Sequence, residues 1–111
     1  MLLEDVKELV ETDLEETIFD KQLTIYIRSG SAYLKNNSIP VPDFEKEDEE
    51  IQSMYKEPDD YHLVLYWLHF HVIRVFDKEI SATTLSFIQE EMINTLYQLK
   101  IKYSRSVKNE V

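Results

Sequence analysis

The chain has 111 residues, 43% hydrophobic and 31% charged, which excludes a disordered polymer and fits one domain with a modest core. One glycine and three prolines exclude an all-β fold built on many tight turns, and the lack of cysteine excludes disulfides, thiolate metal sites and a thiol nucleophile. The net charge of −10 is uneven: 43–60 carries nine acids against Lys46 and Lys56, whereas 99–111 carries Lys100, Lys102, Arg105 and Lys108 against Glu110.

The opening MLLEDVKELV has acids within its first five residues and no basic leader, so no signal peptide is expected and the chain reads as soluble and intracellular. Leu2, Leu3, Val6, Leu9 and Val10 fall at helical spacing, with Glu4, Asp5 and Glu8 on the other face. Thr12-Asp13-Leu14-Glu15 has the form of a capping box and predicts a second helix running to about Lys35. Its apolar stripe is Phe19, Leu23, Tyr26, Ile27, Tyr33 and Leu34, and Gly30 lies on the same side. A mid-helix glycine costs about 1 kcal/mol relative to alanine, so a neighbouring helix is expected to approach closely there.

Asn36-Asn37-Ser38 ends that helix, and Ile39-Pro40-Val41-Pro42 is extended. An acidic loop from about 38 to 60 follows, with one short helix around Ile51, Met54 and Tyr55. Lys56-Glu57-Pro58-Asp59 is a break, with Asp59 or Asp60 capping the next helix. That helix, YHLVLYWLHFHVIRVF at 61–76, is apolar nearly all round and is expected to be buried from several sides. It is too short and too often interrupted by ionisable groups to span a membrane, which takes roughly 20 apolar residues. After Asp77-Lys78-Glu79-Ile80-Ser81, Thr83 or Thr84 is expected to cap a final helix. Its stripe, Leu85, Ile88, Met92, Leu96, Leu99 and Tyr103, is the most regular in the chain, and 104–111 is expected to fray as a basic tail. The fold class is all-α: a compact bundle of three major helices plus one or two short ones, in a single domain over 1–111.

Constellations for chemistry are scarce. His62 and His69 are two turns apart, about 10 Å, and His69 and His71 point to nearly opposite sides, so no metal site is expected. Asp43-Phe44-Glu45-Lys46-Glu47-Asp48 lacks the glycine of a calcium loop. No nucleophile elbow or phosphate loop is present, so no enzyme, catalytic residue or cofactor is expected. The basic stretch with Tyr97, Lys100, Lys102, Tyr103 and Arg105 leaves three readings open: a helix end matched to its dipole, a protein contact, or a nucleic-acid contact. Seven tyrosines, five phenylalanines and one tryptophan exceed what a bundle of this size hides, which favours an assembling subunit.

Three segments resemble the head–tail connector (head-completion or adaptor) proteins of tailed phages. Leu3-Glu4-Asp5-Val6-Lys7-Glu8-Leu9 followed by Asp13, Glu15 and Glu16 is similar to that family's opening motif. Ser29-Gly30-Ser31-Ala32-Tyr33-Leu34 resembles its small-residue helix, and the 89–100 segment resembles its closing motif, with Leu99-Lys100 where relatives carry Leu-Arg. The aromatic-rich 66–71 segment and the acidic 43–60 insert depart from the family pattern. The resemblance implies a helical subunit that forms a ring, dodecameric in the virion, beneath the portal. The ring extends the DNA channel and docks the tail. The implied partners are other copies of the chain, the portal protein, a tail-side connector or stopper protein, and DNA passing without sequence-specific binding. The implied place is the virion neck, assembled in the host cytoplasm, with no membrane and no cofactor.

A ring contact joins two different patches of one chain. The candidate pair is Glu47, Asp48, Glu49 and Glu50 against Tyr97, Lys100, Lys102, Tyr103 and Arg105. An acidic channel wall also lets DNA slide, because like charges repel. The alternative is a small acidic regulatory or DNA-mimic protein that binds a basic protein partner.

Overall fold

Five helices form among the described residues: α1 (Leu2–Leu9), α2 (Asp20–Asn36), α3 (Asp48–Ser53), α4 (Pro58–Phe76) and α5 (Ala82–Asn109); in all but the short α3, apolar residues recur every three or four positions. The computed structural model describes residues 2–10, 19–44, 46, 48–76 and 79–109, and the side chains of all these except 48 and 104–109. No strand occurs among the described residues, and the all-α bundle of three long and two short helices is the fold the chain adopts. The capping box at 12–15 and the link at 77–78 lie outside the described residues.

α4 is the axis of the bundle, because its apolar residues leave no polar stripe and each of the other four helices packs against it. Val64, Leu68 and Val72 are fully enclosed, facing Leu23, Ile27 and Leu34 of α2, Leu2 and Val6 of α1, and Ile88, Met92 and Leu99 of α5 within one core. Each such side chain stabilises the fold by about 1.5–3 kcal/mol. α2 and α5 both dock on α4 but make no comparable contact with each other. A groove therefore remains between them.

Gly30 sets the α2–α4 distance. A Cβ there would lie 2.9 Å from Leu68 Cδ2 and from His71 Cδ2, and 3.2 Å from Trp67 Cζ3. The close approach expected from the sequence is present, and it explains a glycine inside a helix.

The helix ends show why local signals work and where they miss. At the end of α2, Ser38 adopts φ 67°. Its N–H donates to the Lys35 carbonyl at 3.0 Å, and the Ile39 N–H donates to the Leu34 carbonyl at 3.1 Å. This is a Schellman stop with serine in the usual glycine place. α4 begins at Pro58, whose missing N–H costs nothing in the first turn. Asp60 is thus not the cap; from inside the turn it accepts a hydrogen bond from the Glu57 N–H at 3.2 Å. At the start of α5 the cap is Ser81 rather than Thr83 or Thr84, with Ser81 Oγ accepting from the Thr84 N–H at 3.1 Å. Lacking glycine and proline beyond that point, α5 continues as helical backbone to Asn109, past the boundary expected near Ser104.

Candidate functional site

The first half of α4 meets the end of α5 in a buried polar cluster. Asp60 is 1% exposed, with Lys102 Nζ 2.7 Å from one carboxylate oxygen and the Tyr103 hydroxyl donating to the other at 2.5 Å. The Tyr103 oxygen accepts the Lys56 N–H at 3.1 Å, and Lys102 also pairs with Glu57 at 3.3 Å. Tyr55 stands edge-on to Tyr103 and donates its hydroxyl to the Pro40 carbonyl at 2.7 Å. Burial pushes the Asp60 carboxyl up, but hydrogen bonds from Lys102, Tyr103 and the Glu57 N–H outweigh it and hold the group below its ordinary range. Burial and the bond to Asp60 push the Tyr103 hydroxyl up to about 12. One carboxylate thus fastens residues 43 positions apart.

This cluster redistributes the residues proposed as an intersubunit pair. Lys102 and Tyr103 are engaged within their own chain by Asp60. The reason is geometric: the stripe that carries Leu99 into the core carries Tyr103 inward one turn later. Glu49 and Glu50 are exposed on α3, and Tyr97 and Lys100 are exposed on α5. Glu47 and the side chains of Asp48 and Arg105 lie outside the described residues.

The tyrosines are more internal than their number implies. Tyr61 donates to Asp5 at 2.7 Å, joining α4 to α1, and Tyr66 donates to Glu91 at 2.6 Å, joining α4 to α5. The bond to Glu91, together with burial, pushes the Tyr66 hydroxyl up to about 12. Tyr26 packs on Phe76, leaving Tyr33 and Tyr97 as the tyrosines that are more than half exposed. The hydroxyl, which composition alone does not weigh, lets a tyrosine tie two helices from a half-buried position.

Tyr33 lines a surface groove, and Tyr97 lies one helical turn past its rim. Tyr33 of α2 stacks on Trp67 of α4 with ring centroids 5.5 Å apart, and Trp67 stacks on His71 at 5.4 Å. The three rings floor and flank the groove between α2 and α5, about 500 Å³ in volume, which Arg74, Met92, Ile93 and Leu96 also line. Ile93 is 67% exposed at its rim and Tyr97 is 65% exposed one turn on, followed after four residues by Ile101. This second apolar stripe on α5 is legible as a four-residue repeat offset from the core stripe, but the regularity of the core stripe hides it. A second groove, of about 520 Å³, lies where α1 and α3 meet α4, lined by Asp5, Glu8, Leu9, Tyr61, His62 and Leu65 among others.

His69 and His71 serve packing, whereas His62 is exposed. Burial holds both His69 and His71 below the ordinary imidazole range, and the Arg74 charge adds to the effect at His71. His69 Nδ1 donates to the Tyr66 carbonyl at 2.6 Å. Among the described residues no cluster of three or more histidine, aspartate or glutamate side chains is placed to hold a metal ion, and no helix is long and apolar enough to cross a membrane.

Compared with known proteins, the chain is similar over residues 2–106 to the family described as phage connector protein. No match is found among curated proteins or among solved structures.

Proposed function

The chain belongs to the phage connector protein family, and from that premise we propose that it is a head–tail connector that forms a ring beneath the portal. The ring, dodecameric in the virion, extends the DNA channel and presents the surface on which a tail-side connector or stopper protein docks. Its place is the neck of the virion, with assembly in the host cytoplasm. DNA passes it without sequence-specific contacts, since a body of net charge −10 repels phosphate. The observation that carries this reading is the family match along nearly the whole chain. The structure supports it with an aromatic and apolar surface around Tyr33, Ile93 and Tyr97 of the kind that protein contacts use.

Among the described residues the acidic segment is only partly a free face: Glu49 and Glu50 are exposed on α3. A DNA mimic spreads its carboxylates over a free face, whereas Asp60 is buried and Glu57 pairs with Lys102. The test is electron microscopy and mass measurement of the purified chain, alone and with purified portal. Rings, or a stoichiometric layer on the portal, are expected. A chain that stays monomeric and leaves the portal bare would overturn the proposal.

A further inference from the structure

The two grooves lie on opposite sides of α4. At about 100° per residue, Trp67, His71 and Arg74 share one face of that helix. Pro58, Tyr61 and Leu65 fall half a turn away on the other. The first three line the α2–α5 groove and the second three line the α1–α3 groove. The grooves are close in size, about 500 and 520 Å³, but differ in charge. Arg74 is the charged residue lining the first, whereas Asp5 and Glu8 line the second. Each has an exposed apolar residue at its edge: Ile93 at 67% on one side and Leu9 at 44% on the other.

A closed ring of identical subunits needs a heterologous contact, in which one patch meets a different patch on the next copy. Two patches on opposite sides of a single helix satisfy that requirement, because a subunit then has a front and a back. Opposite charge fixes which patch meets which. We infer that the occupant of these surfaces is a second copy of this chain: the Tyr33–Ile93 face with Arg74 on one subunit seats against the Leu9 groove with exposed Glu8 on the next. The inference rests on the ring reading and adds the surfaces that close the ring. It replaces Lys102 and Tyr103 as the basic half of the contact, since Asp60 engages both within the subunit.

The chain contains no cysteine, so introduced thiols report contacts without background. Ile93 and His62 are both exposed, one at each groove. Under mild oxidation of full-length protein, with and without portal, a mixture of Ile93→Cys and His62→Cys chains is expected to give a linked dimer, and neither variant alone any disulfide. The double variant is expected to give a ladder of linked chains. Separately, Arg74→Glu and Glu8→Arg are each expected to weaken self-association about tenfold, and their combination to restore it. Three results would overturn the inference while leaving the ring reading intact: rings visible by microscopy without the ladder, Ile93→Cys linking to itself, or charge reversals whose losses add. If the wild-type chain forms no ring alone or on the portal, both readings fall together.

Discussion

Tyr97 and Tyr103 stand six residues apart on α5 and have opposite fates. Tyr103 is 7% exposed, with its hydroxyl on Asp60, and helps bind the end of α5 to the start of α4. Tyr97 is 65% exposed, one turn beyond Ile93 at the rim of the groove between α2 and α5. Six residues on a helix turn through about 240°, so the two cannot share a partner. The contrast teaches that one helix carries a covered face that holds the fold and an exposed face, here proposed for assembly, built from the same residue types and separated by rotation alone.

The sharpest way to break the folding side is Asp60→Ala. It removes the acceptor for three hydrogen bonds and leaves Lys102 without this carboxylate. A loss of about 3 kcal/mol is expected in urea denaturation, the low end for breaking a buried pair because Lys102 keeps some access to water. The same group predicts a pH dependence. Its folded carboxyl lies below the ordinary value of 3.8, so its stabilisation is complete above that value and is lost as pH falls through the lower, folded value. His69 and His71 act in the same direction at higher pH: both lie below their ordinary value of 6.5 in the fold. As pH drops through 6.5 the unfolded chain takes up protons that the folded one does not. Denaturation midpoints measured from pH 7 down to pH 2 should therefore fall in two stages, and Asp60→Ala should remove its share of the lower one.

Exchanging hydroxyls tests the comparison directly. Tyr103→Phe leaves buried Asp60 short of a donor and is expected to lower stability by about 2 kcal/mol. Tyr97→Phe should change it by less than about 0.5 kcal/mol, because the side chain is exposed. Equal effects in thermal melts would erase the distinction between the two faces. Next in size is Gly30→Ala, where contacts at 2.9 Å force Leu68 and His71 to move. Overpacking of about 1–3 kcal/mol, offset by about 1 kcal/mol of helix propensity, leaves a net loss of about 1 kcal/mol. Near-ultraviolet circular dichroism should register the disturbed Tyr33–Trp67–His71 stack. The smallest effect runs the other way: Ser38→Gly relieves a left-handed residue at the end of α2 and should gain about 0.5 kcal/mol in the same melts.

Much of this was legible in the chain itself. Apolar spacing, a scarcity of glycine and proline, and a centre without a polar stripe determined an all-α bundle wrapped around α4. They determined the extended 39–42 link and the tight approach at Gly30 as well. Three short motifs determined the family resemblance, which the family match over 2–106 bears out. All of these depend on residues close in sequence, where helical geometry makes the consequence nearly unique.

Tertiary structure decided the rest. Lys7 carries a charge within a short helix, yet it is 3% exposed and pairs with Asp20 at 2.8 Å, binding α1 to α2. Lys102 and Tyr103 read as a basic, aromatic surface, yet they close on an aspartate 42 and 43 residues away. That the second apolar stripe of α5 stays uncovered, and that the two grooves oppose each other, emerge only once α2 and α5 settle on α4. The physical reason is the same in each case. Periodicity says which side chains share a face, but only the packing of distant helices says which face is covered, and a charge or hydroxyl goes inside when that packing brings it a partner.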